Sequence, residues 1–383
     1  MLETVQKAFE FLFAYPRARL SGSKRKTKRN SKRRFFRVSA EAHNKYVFTF
    51  SSAFILCSIP KDSSSQIIKF ARFVSITPFP EVRESLTTSS NLLKLTQPRS
   101  TDVAEPYDFA VCVQPTYNYA NVAEFLEWLE FYKMMGIGHF TFYNMSIGPR
   151  VSCVMKSAAV NAETPITILK WTSPIPDDNV LHLNGQLAQS NDCAFRYRGL
   201  SKHIIGVDYD EFLVPNYTHA RNFGELINVL DTLWTSERRT GSLASYQFRM
   251  GVFDTSFENF PNSRNNSTPV NILKFGLYDF KTYRYVTRLE FVFPFRRRSK
   301  LISKPRSVIE PGLHWMDEAV GDEVEFQVPP EFAYLHHIRR FDECMDCINL
   351  PQRGDVTTHF YASELLKRVQ NMVVTLAREC DLE

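Results

Sequence analysis

The sequence predicts an α/β fold built on a mostly parallel, Rossmann-like sheet with helices on both faces. Apolar segments of strand length alternate with segments of helical periodicity from Tyr107 onward. The fourth apolar segment, HIIGV, stops abruptly at three carboxylates, Asp208, Asp210 and Glu211. Ligands of such sheets bind beyond the carboxyl ends of the strands. The acidic segment therefore lies where a functional site is expected.

The predicted elements follow one another in a regular order. Four strands are expected, at residues 109–113, 140–143, 166–171 and 203–207. The intervening helices are expected at 122–132, 150–160 and 183–197. Beyond Pro215 the pattern predicts a helix at 223–233, strands at 245–253 and 283–295, a polar loop at 262–269 and a closing helix at 362–378.

Positive charge is concentrated near the N-terminus. The chain of 383 residues has a net charge of +6, and its length suits one large domain or two small ones. Residues 24–37 contain nine Lys and Arg residues and no acid, so the rest of the chain carries −3. A basic nucleic-acid footprint on the folded part is therefore not supported. Read alone, the basic run also fits a nuclear signal, an RNA-binding arm or a solvated tail.

An uncharged apolar run at residues 46–60 follows the basic segment. It is shorter than the roughly 20 residues that span a bilayer, but its positive flank suits a signal anchor with the N-terminus in the cytosol. The alternative is an apolar core strand that follows a disordered tail. The predicted organisation is a basic cytosolic tail at 1–45, a candidate signal anchor at 46–60, a stem rich in Ser, Thr and Pro at 61–105, and one α/β domain at 106–383.

The D-x-D motif of Asp208 and Asp210 is the first candidate site. In an extended strand end the two side chains would point the same way. Two carboxylates there would form a hard-oxygen site for Mg²⁺ or Mn²⁺. The simpler interpretation is an acidic turn after a buried strand, because such motifs arise often by chance. Glu211 adds a third charge that a plain turn does not need.

The cysteines and the N-glycosylation sequons are evidence on which cellular compartment contains the folded chain. Six cysteines lie outside the apolar run, at positions 112, 153, 193, 344, 347 and 380. An even number is compatible with disulfides in an oxidising lumen, although Cys112 fits a buried free thiol equally well. The single C-x-x-C at 344–347 is a weak zinc signal. N-glycosylation sequons begin at Asn144, Asn216, Asn265 and Asn266.

Four sequence blocks together carry a family resemblance. They are QPTYNYANVAEFLEWLEFYKMMGIGHFTFYN, QLAQSNDCAFRYRG, VDYDEFLVP and LHHIRRF, in that order. Over residues 107–341 the chain resembles glycosyltransferase family 92, a group of animal and plant sugar transferases with the GT-A fold. The resemblance implies a UDP-sugar donor, with UDP-galactose first, a glycan acceptor, an inverting reaction and Mn²⁺ or Mg²⁺ bound through the D-x-D. It also implies a single-pass type II protein of the Golgi membrane with a luminal catalytic domain.

The resemblance also suggests roles for residues outside the D-x-D. A histidine followed by a basic residue fits His337 as a further metal ligand and Arg339 as a phosphate partner. Consecutive residues of a strand face opposite ways, so only one of His336 and His337 is expected to reach the site. The expected donor-binding residues are Pro115, Thr116 and Asn118 after the first strand, and Asn191 and Asp192 in the N-D-C block.

An inverting transfer also needs a base for the acceptor hydroxyl, and carboxylates are the first candidates. Glu310, Asp317 and Glu331 all lie in the downstream half of the chain. Asp317 is the first choice because it lies close to His314 and Trp315, and an aromatic ring often stacks on a sugar.

Two other classes of protein share single features with this chain. Haloacid-dehalogenase phosphatases also have an apolar strand that ends in D-x-D, but they usually carry Thr or Val where this chain has Phe212. Their motif ends the first strand of the domain, whereas three strand–helix units precede Asp208 here. A non-enzymatic nuclear or nucleic-acid-binding adaptor would use residues 24–37, but it would not need the adjacent apolar run.

Overall fold

The computed structural model describes residues 103–172, 182–237, 240–257, 274–341 and 347–382, and short strand segments at 36–37, 56–57, 73–75 and 92–94. Most of the predicted tail, anchor and stem, the loop at 262–269, Asn265, Asn266 and Cys344 lie outside the described residues. Among the residues described, no helix is both long enough and apolar enough to cross a bilayer.

The chain divides into two compact units. The first contains residues 1–98 and 170–188, and the second contains residues 99–169 and 189–383. Two antiparallel strand pairs are described in the first unit. Phe36–Arg37 pairs with Leu56–Cys57, and Phe73–Ser75 pairs with Leu92–Lys94. The sheets and the candidate site discussed below belong to the second unit.

The strands from residue 107 onward are β1 (Tyr107–Thr116), β2 (His139–Asn144), β3 (Ile166–Lys170), β4 (Ser201–Val207), β5 (Glu211–Pro215), β6 (Leu243–Phe248), β7 (Met250–Asp254), β8 (Thr287–Leu289), β9 (Lys300–Ser303), β10 (Val308–Pro311), β11 (Met316–Ala319), β12 (Val324–Gln327), β13 (Ala333–Arg339) and β14 (Gln352–Gly354). The α-helices are α1 (Val122–Met134), α2 (Pro149–Lys156), α3 (Ala158–Glu163), α4 (Gln186–Arg196), α5 (Phe223–Ser236), α6 (Lys281–Arg284) and α7 (His359–Leu376).

A seven-stranded sheet in the order β12-β6-β9-β4-β1-β2-β3 forms the centre of the fold. Strand β1 pairs in parallel with both β2 and β4. Strand β9 is antiparallel to its neighbours β4 and β6, and β12 is parallel to β6. The mostly parallel sheet predicted from the sequence is therefore confirmed, with β9 as its antiparallel strand.

Helices cover both faces of this sheet, as expected from the alternating pattern. On one face, Trp128 of α1 packs against Phe140 and Phe142 of β2, with ring centroids 5.7 and 6.1 Å apart, and Phe109 of β1 packs against Phe223 of α5. On the other face, β1 is joined to α4 by a disulfide between Cys112 and Cys193. Side chains alternate between the two faces of a strand, and both faces of β1 are therefore buried.

A smaller sheet in the order β7-β13-β5 adjoins the end of β4 along the chain. Its central strand β13 is parallel to β7 and antiparallel to β5. In this register His337 lies opposite Glu211, the first residue of β5. The β5–β13 pairing therefore brings a histidine from the C-terminal part of the chain to the acidic segment.

Three predicted elements were wrong in detail. Residues 245–253 form two strands, β6 and β7, in different sheets. The break is at Arg249, whose guanidinium donates to the carbonyls of Val292 and Phe293. Residues 283–295 form the end of α6, the three-residue β8 and irregular chain. The helix predicted at 150–160 is interrupted at Ser157, whose hydroxyl accepts from the Ala159 N–H at the start of α3.

Two disulfides join distant parts of the described chain. Cys112 of β1 pairs with Cys193 of α4, 81 residues apart. Cys153 of α2 pairs with Cys380, 227 residues apart. The alternative of a free thiol at Cys112 is therefore wrong. A crosslink between residues far apart in sequence restricts the unfolded chain most strongly.

Candidate active site

The acidic motif lies in the turn that connects β4 of the large sheet to β5 of the small sheet. The Trp128 indole N–H donates to the Asp208 carbonyl at 2.8 Å. The ring of Tyr209 stacks on Tyr119, with centroids 3.9 Å apart and planes at 5°, and its hydroxyl is 3.0 Å from Thr116 Oγ1. Because β1, α1 and the loop between them hold the turn, its backbone conformation is set by the sheet beneath it.

The two aspartates have different partners in this turn. The sequence argument placed both on one side of an extended strand, but the strand ends at Val207 and residues 208–210 are not extended. One carboxylate oxygen of Asp208 lies 3.6 Å from Lys300 Nζ, whereas one of Asp210 lies 3.2 Å from His337 Nε2. The alternation argument was therefore wrong here.

Asp208 is in an environment that disfavours its charge. A third of its side chain is exposed, yet the packing around it raises the pKa of the carboxyl to about 7. Burial is the main cause. Lys300 opposes the shift, while the nearby carboxylates of Glu211 and Asp210 add to it. A further cation at this position would favour the ionised form.

Asp210 behaves differently from Asp208 because of its partner. Burial raises the pKa of its carboxyl, but the hydrogen bond to His337 and the electrostatic effects of His337 and Arg339 outweigh burial. The net pKa therefore lies below the ordinary aspartate value. His337 Nδ1 lies 3.2 Å from the Met250 sulfur, so the ring is held from both sides. Asp210 and His337 form a preformed oxygen–nitrogen pair.

A buried ion pair supports the turn from below. Glu211 Oε2 lies 2.8 Å from Lys300 Nζ, and their side chains are only 4% and 5% exposed. The same carboxylate accepts the Asp208 backbone N–H at 3.0 Å. Glu211 therefore fixes the first residue of the motif, and Lys300 neutralises the carboxylate that does so. Glu211, the third carboxylate of the motif, therefore has a structural role that a plain turn would not require.

His336 and His337 face opposite sides of β13, as the strand period predicts. His336 is buried, and its ring stacks on Phe253 with centroids 4.4 Å apart. Burial lowers its pKa to about 4. Its neighbours are aromatic rings of the core, so His336 does not reach the turn that His337 contacts.

The expected nucleotide-binding residues lie at the carboxyl end of β1. Pro115 and Thr116 are its last two residues, and Thr116 contacts Tyr209 as described above. Asn118 is exposed, has a positive φ of 48° and donates its backbone N–H to Ser146 Oγ at 2.6 Å. Asparagine tolerates this backbone conformation better than most residues. Thr116 therefore contacts the acidic turn through Tyr209, and Pro115 and Asn118 are within two positions of Thr116 in the chain.

Asn191 and Asp192 lie within α4, on the face that covers β1 and β2. Asp192 accepts the Tyr143 hydroxyl at 2.6 Å and two N–H groups of the Arg196 guanidinium, Nε and Nη2, each at 2.9 Å. Asn191 is buried. The carboxylate of Asp192 is thus oriented by a bidentate pair, and the neighbouring Cys193 fixes the helix to β1.

The remaining predicted residues are Arg339 and Asp317. Arg339 is the last residue of β13; its guanidinium lies over the Phe341 ring at 5.0 Å, and its charge acts on Asp210. Asp317 lies in β11 of the β10–β11 hairpin, is exposed and accepts the Trp315 indole N–H at 2.6 Å. In the described part of the chain, no hydrogen bond or ion pair links Asp317 to Asp208 or Asp210.

Comparison with known protein families decides what kind of protein this is. The model of glycosyltransferase family 92 matches residues 107–370, more than half of the chain. The chain belongs to glycosyltransferase family 92. The match contains the acidic turn, α4, the β10–β11 hairpin and β13, so each site residue predicted above lies within it.

Two individual proteins are similar to parts of this family 92 chain. One is the Caenorhabditis elegans protein named beta-1,4-galactosyltransferase galt-1, which is 23% identical over 219 residues. The aligned region is 56% of this chain and 44% of that relative, so the chain spans less than half of its length. The other is the crystal structure of S. aureus TarS, with 11% identity, a TM-score of 0.23 and coverage of 44% of this chain and 26% of that one. A score this low supports no conclusion.

Two residues that contact the acidic turn were not predicted from the sequence. Lys300 contacts both Glu211 and Asp208 from β9, and Trp128 fixes the turn from α1. Lys300 lies outside the four quoted blocks, and Trp128 lies in the first block but was not singled out as a contact of the motif.

Proposed function

We propose that this protein is a metal-dependent, inverting glycosyltransferase that transfers galactose from UDP-galactose to a glycan acceptor. The observation that carries the proposal is the acidic turn between β4 and β5, to which β13 delivers His337. The turn follows a strand of the parallel sheet, at the position where such sheets bind ligands. Membership in family 92 supports glycosyl transfer, and the name of the C. elegans relative supports galactose.

Asp208, Asp210 and His337 are the residues that would hold Mn²⁺ or Mg²⁺. The carboxylate oxygens of Asp208 and Asp210 are the donor type that these cations prefer, and His337 Nε2 lies 3.2 Å from Asp210. The donor atoms of all three residues do not converge within 4.8 Å in the described part of the chain, and Asp208 faces Lys300 instead. When bound, the cation would stabilise the negative charge that develops on the leaving diphosphate.

The protein's own cations add to the electrostatics of the site. Lys300 is held beside the turn by Glu211, and Arg339 and Lys281 both act on the charge of Asp210. We assign Arg339 to the diphosphate, because a guanidinium matches phosphate oxygens in geometry. Pro115, Thr116 and Asn118 would contact the nucleotide. Asn191 and the oriented carboxylate of Asp192 would bind the donor sugar.

Family membership favours this function over the two alternatives. The phosphatase class would place its motif on the first strand of the domain, whereas β4 here follows β1, β2 and β3 along the chain. The adaptor hypothesis used only residues 24–37, and the family match begins at residue 107. We therefore propose an enzyme whose substrates are a nucleotide sugar and a glycan.

We also propose a Golgi membrane location with the catalytic part in the lumen. Two disulfides in the described chain support an oxidising compartment. The basic tail and the apolar run at 46–60 support a type II anchor. Carbonate extraction of cells that express the full chain should leave the protein in the membrane pellet, and a glycosidase should increase its mobility. Release into the soluble fraction with no mobility shift would reject this topology.

The experiment for the reaction is a nucleotide-sugar screen of the full-length protein. UDP and UDP-galactose should stabilise the protein against heat only when Mn²⁺ is present, and GDP-sugars should not. A ligand at about 100 times its dissociation constant adds roughly 2.7 kcal/mol to stability. A glycan array should then show galactose added in β linkage.

Variants of the acidic turn provide the control. Asp208→Asn and Asp210→Asn should each lower transfer by about 10²-fold or more, because a charge that offsets the cation is lost. The matched control is Asp322→Asn, since Asp322 is exposed in the turn before β12. Near-normal rates in both site variants, or no effect of a chelator, would refute the site assignment. Preference for a guanine nucleotide would refute the donor.

A further inference from the structure

The loop between β10 and β11 is held in one conformation close to the acidic turn. The Gln247 side chain donates to the His314 carbonyl at 2.8 Å, and the Gly312 N–H donates to the Trp315 carbonyl at 3.0 Å. A Cβ on Gly312 would lie 2.4 Å from that carbonyl oxygen, so only glycine fits the turn. The Met316 N–H donates to Glu325 at 3.0 Å. Contacts from β6 and β12 therefore fix the loop.

The imidazole of His314 has one defined tautomer. Its Nδ1 lies 3.0 Å from the carbonyl oxygen of Ser299. A carbonyl oxygen only accepts hydrogen bonds, so Nδ1 carries the proton and donates it. In the neutral ring Nε2 then carries a lone pair. Within the described part of the chain no residue hydrogen-bonds to Nε2, and the side chain is partly exposed.

The position of His314 links the hairpin to the acidic turn. Ser299, which accepts from Nδ1, directly precedes Lys300 in the chain. Lys300 Nζ in turn lies 2.8 Å from Glu211 and 3.6 Å from Asp208. The residue that orients the His314 ring, Ser299, is thus the immediate chain neighbour of Lys300, which contacts the acidic motif.

We propose that His314 Nε2 is the base that removes the proton from the acceptor hydroxyl. The inference rests on the proposed function, and it deepens that function by assigning a residue to the proton transfer. The acceptor O–H bond breaks and its proton moves to Nε2. The acceptor oxygen forms a bond to the anomeric carbon, and the bond from that carbon to the diphosphate oxygen breaks. The diphosphate leaves with the electron pair of that bond.

Neighbouring carboxylates are less suited to this step than His314. Asp317 is exposed, and one of its oxygens is engaged by the Trp315 indole. Glu325 accepts the Met316 N–H and supports the hairpin backbone. Glu331 is exposed at the start of the segment that leads into β13. His314 instead combines a fixed ring with an available lone pair, which is what a base requires.

The protonation state of His314 agrees with this role. Burial lowers the pKa of the ring below the ordinary histidine value, and the positive charges of Lys300 and Arg298 lower it further. The Ser299 carbonyl and Glu211 act in the opposite direction and do not outweigh these effects. The ring is therefore neutral at pH 7. Transfer should therefore fall as the pH drops through this lowered pKa.

The test compares two substitutions of His314 in the full-length protein. Asparagine places an amide N–H where Nδ1 donates to Ser299 but has no basic nitrogen, whereas glutamine places an amide near the position of Nε2. Both variants should lower kcat for galactose transfer by about 10²–10⁴-fold. The affinity for UDP in the presence of Mn²⁺, measured by calorimetry, should stay within about twofold of wild type. The acid limb of the pH–rate profile should disappear from the residual activity.

The matched control is His219→Asn, because His219 is exposed and its ring packs on Phe332, away from the acidic motif in the chain. This variant should keep wild-type kcat. A purely structural His314 would be rescued by asparagine, so near-normal kcat in His314→Asn would overturn the proposal. A large loss in Asp317→Asn together with normal kcat in His314→Asn would assign the proton to Asp317 instead. A wild-type protein that transfers no sugar would refute the proposed function and, with it, this role.

Discussion

Replacing Lys300 with methionine should destabilise the protein strongly. The substitution removes the ammonium and keeps the length and most of the apolar stem of the side chain. Lys300 is 5% exposed and lies 2.8 Å from Glu211, which is 4% exposed. Without Lys300 the Glu211 carboxylate is buried next to Asp208 with no cation to offset it. Losing one partner of a buried ion pair costs about 3–5 kcal/mol, so the free energy of unfolding should fall by about that amount.

Urea denaturation of wild type and variants measures this change directly. The midpoint for Lys300→Met should fall without a change in the dependence on urea concentration. The double variant Lys300→Met/Glu211→Gln should recover most of the loss, because glutamine removes the buried charge and can still accept the Asp208 N–H.

A surface lysine provides the matched control for this prediction. Lys202 pairs with Asp108 at 2.6 Å, but both side chains are more than half exposed. Solvent screens such a pair, so Lys202→Met should leave the urea midpoint nearly unchanged. The reasoning would be refuted if Lys300→Met cost less than about 1 kcal/mol, or if the double variant were no more stable than the single one.

Three other predictions concern the core, a disulfide and the histidine of the turn. Burial raises the pKa of Glu127 to about 6, so this carboxyl binds protons more readily in the folded state and wild-type stability falls as pH rises from about 4.5 to 6. Relative to wild type, Glu127→Gln should gain about 2 kcal/mol over that range, and a pH-independent difference would contradict this. Removing the disulfide between cysteines 81 positions apart with Cys112→Ser/Cys193→Ser should cost up to about 4.5 kcal/mol from loop entropy alone. An unchanged urea midpoint would contradict this disulfide. His337→Ala should raise the Mn²⁺ concentration required for half-maximal activity, whereas His336→Ala should not, and equal effects of the two changes in a Mn²⁺ titration would indicate a structural pair.

The local elements of the large sheet could be predicted because they depend on local periodicity. Strands β1, β2, β3 and β4 each contain a short run of apolar residues, and α1 repeats apolar residues at helical spacing. The strand period also determined that His336 and His337 face opposite ways. These features depend on residues within a few positions of one another, and a single sequence displays them fully.

The conformation of the acidic motif depended on more than its own residues. The motif reads as a strand end, but β4 and β5 belong to different sheets, and the chain must turn between them at Asp208–Asp210. Trp128 and Tyr119 hold that turn from other elements. The aromatic run at 283–295 was misread for a related reason, because among the described residues only its segment β8 pairs with another strand, β14.

The sequence by itself determined the fold class, the order of the first four strands along the chain, and the identity of the acidic motif. Only the tertiary structure decided that Lys300 neutralises Glu211, that Cys112 pairs with Cys193, and that Ser299 orients His314. In each of these cases the partners are between 15 and 89 positions apart. Their contact depends on which strands are neighbours in the sheets, and local sequence patterns contain no information about that pairing.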